Sequence, residues 1–367
     1  MYEDYLKEWE PYETGYFSAL APPDKNGSRF VEPKRHYPVS EKENFKLLFE
    51  KKKPVYMPVI TEMTAFAPRV VIDNVARVFA MEIEPLMPGS PDAKSMADMF
   101  GVEWQYVPIT GGSMVKPENP KIKDINRWEE YITFPNLDEW DWEGSAKKNA
   151  PLFHKDRMLR VWLMNGLNER LISMMDFDRT MIAYIDDEQK EGVHRFFDRL
   201  CVFYDDLIGR FKKHFDADVL MFNDDWGTQR GPQFSPDTAR EMLAPYIRRI
   251  VESCHKRGMY FELHCCGKND MLVDVMAESN IDLWAPQEIN DFDLLYRLTA
   301  GRFALVVPFD VPEGTTEDQA KRIAEDIMER YGKNRDMIVA PPMMFGGGDP
   351  QPVLKHLYCL SREAYKA

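Results

Sequence analysis

The sequence predicts an α/β protein, a (β/α)8 TIM barrel carrying an N-terminal extension. Three observations lead there. From residue 218 onward short apolar runs alternate with helix-length stretches, the pattern of βα units on a parallel sheet. Polar residues follow several of those runs, namely Asp224, His264, Gln287 and Asp310, and convergence beyond strand ends favours a closed barrel over an open sheet. The chain also lacks Gly-x-Gly-x-x-Gly, a P-loop and a Gly-x-Ser-x-Gly elbow, the marks of other α/β folds.

Residues 1–40 form the extension, rich in Tyr, Pro and charge without a steady period. Its aromatics suit a segment that wraps the domain or meets a partner subunit better than a solvated tail. Residues 41–367 form the single barrel. A helix opens at Ser40 and runs to about Lys52. Pro54–Ile60 reads as the first strand. Helices are expected over Pro68–Ala80 and Ser95–Phe100, and a strand over Val102–Val107. Arg157–Leu163 reads as a strand, with a helix over Gly166–Met175 after it. A longer helix from Asp186 to His214 places Val193, Phe196, Phe197, Leu200 and Phe203 at core spacing.

The strand Asp218–Phe222 ends in Asn223-Asp224-Asp225-Trp226-Gly227-Thr228-Gln229, a polar loop where barrel enzymes place functional groups. Ser235-Pro236-Asp237 is a helix start, with a capping Ser, Pro in the first turn and an acid at the positive end. That helix runs to Arg257, kinked at Pro245 and stopped at Gly258. Later strands are Ile281–Ala285, Phe303–Phe309 and Met337–Ala340. Thr316-Glu317-Asp318-Gln319 is a capping box opening a helix to Gly332. The last helix runs from Pro350 to about Tyr365.

The stretch Phe261-Glu262-Leu263-His264-Cys265-Cys266-Gly267 is the most informative. Side chains alternate along a strand, so Glu262, His264 and Cys266 share one face. A lone His or Cys in a strand is usually packing. A carboxylate, an imidazole and a thiol together form a candidate metal site, since zinc takes N, S and O ligands.

Composition narrows the function. A formal net charge of −14 opposes nucleic acid and anionic membranes as partners. Trp128, Trp140 and Trp142 stand among acidic residues, with Arg127 the one basic residue between Ile125 and Trp142, so they read as packing or substrate walls. No apolar run approaches the ~18 residues of a membrane span. The acidic start Met1-Tyr2-Glu3-Asp4 does not resemble a signal peptide. Five cysteines without a disulfide framework suit a reducing compartment, so a cytoplasmic location is expected.

Several of these residues together resemble the uroporphyrinogen decarboxylase superfamily. They are Asp224-Asp225-Trp226-Gly227-Thr228-Gln229, Ser235-Pro236, Pro245-Tyr246, His264-Cys265-Cys266-Gly267, Ala285-Pro286-Gln287 and Gly314-Thr315. The resemblance covers residue 98 to the C-terminus and is clearest over 216–350. It implies a (β/α)8 barrel and one of two activities, cofactor-free decarboxylation or corrinoid-dependent methyl transfer. Decarboxylases carry an Arg-rich segment after the first strand, where this chain has Glu62-Met63-Thr64. Methyltransferases carry His-x-Cys plus a later Cys, together binding zinc. His264 and Cys266 match the pair, but Pro342-Met343-Met344 stands where the later Cys is expected.

The resemblance therefore implies a methyltransferase moving a methyl group from a small methylated substrate, such as an aryl methyl ether in O-demethylation, to the cobalt of a corrinoid (methylcobalamin) on a separate protein. The alternatives are a decarboxylase and a non-catalytic binding protein with a degenerate site. His264, Asp224 and Gln229 are the catalytic candidates. Asp225, Trp226, Gln287 and Met343 are the candidate substrate contacts. Zinc would be held by His264, Cys266 and Glu262, with Asp310 or Glu288 as alternates for the third ligand. A homodimer is compatible with this reading.

Overall fold

The computed structural model describes residues 2–17, 31–73, 80–86, 96–107, 112–116, 120–342 and 348–366. Its strands, in chain order, are β1 (Pro11–Phe17), β2 (Val31–Arg35), β3 (Thr64–Phe66), β4 (Met96–Ala97), β5 (Glu103–Val107), β6 (Gly112–Val115), β7 (Leu159–Leu163), β8 (Val219–Asn223), β9 (Tyr260–Cys265), β10 (Leu283–Pro286), β11 (Ala304–Pro308) and β12 (Met337–Ala340). The chain forms two compact units. One holds residues 1–65, 151–159 and 282–367, the other residues 66–150 and 160–281.

In the first unit β10, β11 and β12 run parallel, with Leu283 opposite Ala304 and Leu305 opposite Met337. Helices Phe292–Thr299 and Glu317–Tyr331 follow β10 and β11. The expected capping box is present: the Thr316 hydroxyl accepts from the Gln319 amide, and the Gln319 side chain accepts from the Thr316 amide. The first strand expected over Pro54–Ile60 shrinks to one parallel bridge between Val59 and Val339. Pro54 and Pro58 carry no amide hydrogen, so this segment can build little of a ladder. The N-terminal helix Tyr2–Trp9 joins the final helix Gln351–Ala364. Glu8 accepts from Arg362 Nε at 2.8 Å and from the Tyr358 hydroxyl at 2.5 Å, and the Tyr5 hydroxyl donates to Glu363. Tyr5, Tyr56, Tyr358 and Cys359 form a buried cluster around this joint.

In the second unit β7, β8 and β9 run parallel, with Val161 opposite Leu220 and Leu220 opposite Phe261. The long helix Lys190–Phe215 buries Val193, Phe196, Phe197, Leu200 and Phe203 as its spacing predicts. The helix expected from Pro236 to Arg257 is divided into Pro236–Met242 and Ala244–His255. Pro245 removes one amide and crowds the preceding turn, which is enough to end the first segment. Of the helix expected over Ser95–Phe100, Ser95 lies outside the described residues, and residues 96–100 are instead the short strand β4 and a turn. There the Asp98 carboxylate accepts from the amides of Phe100 and Val102, a local competitor to helix bonds. The strand over Val102–Val107 exists as β5, but it pairs antiparallel with β4 and β6. Residues 74–79 of the helix expected over Pro68–Ala80 lie outside the described residues.

Buried Arg170 binds this unit together. It meets Asp73 at 2.5 Å and Asp98 at 2.6 Å, all three fully shielded from solvent. Among the described residues no helix is long and apolar enough to cross a membrane.

Candidate active site

Residues paired across a parallel ladder point to the same face. Trp162 pairs with Met221 and Met221 with Glu262, while Asn223 pairs with His264. Arg160, Trp162, Met221, Asn223, Glu262 and His264 therefore share one face of β7–β9. The opposite face carries Val161, Leu163, Leu220, Phe222, Phe261, Leu263 and Cys265, all 0% exposed. The apolar side anchors the strands, and the polar side is left for chemistry.

At the strand end His264 and Cys266 are both partly exposed. The Cys266 thiol lies 3.6 Å from His264 Nε2. The Cys266 amide donates to Asp225 Oδ1 at 2.7 Å, and Asn269 Nδ2 donates to the Cys266 carbonyl at 2.8 Å. Cys265 points the other way and accepts from the Trp226 amide and from Asn269, each at 3.2 Å. Burial pushes its thiol well above the ordinary cysteine range. The two loops meet backbone to backbone, since a Cβ on Gly267, at φ +88, would lie 2.2 Å from the Gly227 carbonyl carbon. This close approach, open only to glycine, holds Cys266 against Asp225.

Glu262 does not join that pair. Its carboxylate forms a two-pronged ion pair with Arg160, in which Nε and Nη2 reach one oxygen each. Glu262 is fully buried, and an unpaired carboxylate there would be costly. Among the described residues no group of three His, Cys, Asp or Glu side chains is gathered as a metal site. This corrects the expected third ligand: Glu262 is occupied by Arg160, and Asp310 and Glu288 are exposed and belong to no such group. Two protein donors do not fit a zinc centre, which takes at least three.

Asp224 is an anchor rather than a pocket wall. It is fully buried, accepts from the Glu169 amide at 2.9 Å in the first turn of helix Leu167–Met175, and accepts from Trp226 Nε1 at 2.8 Å. Burial pushes its carboxyl up to about 7. Trp226, expected against substrate, is 0% exposed and spends its indole N–H on Asp224. Gln229 sits exposed at the tip of a turn closed by Thr228 and Gly231. Asp225 holds the Cys266 amide. Gln287 is partly exposed, and its carbonyl accepts from Asn290. Met343 lies outside the described residues.

With this geometry in hand the chain can be set beside known proteins. The family described as uroporphyrinogen decarboxylase (URO-D) matches residues 171–356, half of the chain. The chain belongs to that family. No curated protein sequence matches it. Among solved structures it is similar to a methyltransferase from Methanosarcina mazei, at 14% identity over 90% of this chain and 100% of that one, TM-score 0.57. A glycosylated endo-β-1,4-xylanase from Gloeophyllum trabeum (13% identity, 62% and 82% covered, TM-score 0.38) and a D-psicose 3-epimerase from Clostridium cellulolyticum H10 (13%, 61% and 85%, TM-score 0.35) are more distant. At such identity the likeness to the first is one of fold. The fold is α/β and TIM-barrel-like, as the sequence predicts.

In this uroporphyrinogen decarboxylase family member, sequence reasoning missed Arg160 and Trp162. The available signal was an Arg inside an otherwise apolar strand, Leu159-Arg160-Val161-Trp162-Leu163. A buried Arg almost always has a partner, and an inward-facing acid such as Glu262 was the natural candidate.

Proposed function

We propose that this protein is a methyltransferase that removes the methyl group of a small methylated substrate, an aryl methyl ether being the class favoured, and passes it to a corrinoid on a separate protein. Family membership and likeness to a methyltransferase structure support the reading. The observation that carries it is His264, partly exposed at the end of β9 and beside Cys266. An ether oxygen leaves poorly unless it is protonated as the C–O bond breaks. His264 holds a proton at the strand end and gives it to the leaving oxygen, so the product is a neutral phenol. The imidazole then regains a proton from water. Asp225 and Asn269 fix the Cys266 backbone beside it. The partner's reduced corrinoid would supply the nucleophile that accepts the methyl group.

The test is to mix the protein with 2-methoxyphenol and a reduced free corrinoid and follow methylated corrinoid by absorbance. Wild type should transfer methyl, and His264→Ala should not, at an unchanged melting temperature. Carbon dioxide release from uroporphyrinogen, without methyl transfer from any ether or amine, would replace this reading with the decarboxylase one.

A further inference from the structure

The polar face of β7–β9 carries one fixed cation, Arg160, and one fixed anion, Glu262. Its remaining residues are uncharged or, in His264, an imidazole. The pair is two-pronged, and both side chains are buried. The Arg160 guanidinium also lies 5.1 Å from the centre of the Trp162 ring. Trp162 and His264 on the same face are partly exposed, so the face is reached from the strand-end side. Glu262 sits one strand repeat before His264, about 6–7 Å along β9 at ~3.3 Å per residue.

A carboxylated ligand entering beside His264 would find the one arginine on this face already matched and a second carboxylate behind it. Buried like charges repel strongly, and an Arg fork satisfied on both prongs offers little to a second anion. Replacing a buried ion pair by apolar residues is often neutral or stabilising, so stability alone does not account for the pair.

The geometry points to Glu262 as a specificity-determining residue: it acts as a built-in carboxylate that occupies Arg160, so that the face accepts an uncharged methyl donor and turns away a carboxylated one. This rests on the methyl-transfer reading for the word donor only, because the selection is one of binding.

A matched ligand pair tests it by calorimetry on the full chain: 2-methoxyphenol and its carboxylated counterpart, 4-hydroxy-3-methoxybenzoate. Wild type should bind the neutral compound at least about tenfold tighter. Glu262→Gln, which leaves Arg160 unmatched, should erase or reverse that preference. The double variant Arg160→Gln with Glu262→Gln is uncharged overall like the wild type and should keep it. A wild-type preference for the carboxylate, binding of neither compound, or an unchanged ratio in Glu262→Gln overturns the proposal. If Glu262→Gln does not fold, Glu262→Asp, whose shorter carboxylate cannot reach both prongs of Arg160, should weaken the preference, and an unchanged ratio there overturns the proposal. A wild-type protein that transfers methyl groups without this selectivity would sink the inference and spare the activity, whereas a selective wild type without transfer would do the reverse.

Discussion

The backbones of Gly227 and Gly267 touch: a Cβ placed on Gly267 would come within 2.4 Å of the Gly227 Cα. That contact fixes where Cys266 stands relative to Asp225. Gly267 also sits at φ +88, whereas Gly258, at φ +69, has nothing within 4 Å of its would-be Cβ. The two glycines separate conformational from steric cost. Gly258→Ala should cost about 1–2 kcal/mol. Gly267→Ala should cost about 3–5 kcal/mol, the same backbone penalty plus overpacking. Urea denaturation checks both, and equal losses would show that the loop contact yields.

Asp224 sets a pH dependence. Burial raises its folded-state value to about 7, above the ordinary ~3.9 of the unfolded chain. The folded protein therefore binds the proton more tightly, and the stability gained is complete below about 4 and lost as pH rises to about 7. Asp224→Asn does not titrate. The stability of wild type minus that of the variant should fall across this window by up to roughly 4 kcal/mol. A difference that stays flat with pH would reject the assignment. Turnover of the folded variant distinguishes an anchor from a catalytic group: a large fall with an unchanged melting curve would return Asp224 to the chemistry.

Arg170 should be the most sensitive charged residue of its unit. Arg170→Met leaves Asp73 and Asp98 buried without their cation and should cost about 3–5 kcal/mol. Adding Asp73→Asn and Asp98→Asn should recover part of that loss. No recovery in the triple variant would mean that packing, rather than charge, dominates the site.

Removal of metal should matter little if two donors are all the strand end provides. Dialysis against a chelator should leave methyl transfer within about twofold, well inside the 10- to 100-fold that disturbing even a metal site's outer shell costs. A larger fall restored by added zinc would reinstate the metal centre, with a ligand other than Glu262.

Local signals in the sequence were reliable where local physics decides. The Thr316 capping box, the break at Pro245 and the alternating face of β9 all follow from neighbours a few residues apart. The strand over Pro54–Ile60 was overread because an apolar run outweighed two missing amides. Glu262 was misassigned because its partner lies 102 residues away in sequence, and strand periodicity cannot tell which inward acid is already taken. Asp224 looked catalytic from its loop, yet its bonds run back to helix Leu167–Met175 and to Trp226. A carboxylate that caps a distant helix looks the same in sequence as one that meets a substrate.

The segregation of β7–β9 into an apolar face and a polar face has a consequence for how such a protein changes over generations. Phe222, Phe261 and Leu263 carry the folding burden, while Trp162, Asn223 and His264 lie across the sheet from them. Substitutions on the second set do not open voids in the first. New ligand preferences can accumulate one position at a time on a scaffold that keeps its stability, and the same separation makes these three strands a suitable place for a designer to start.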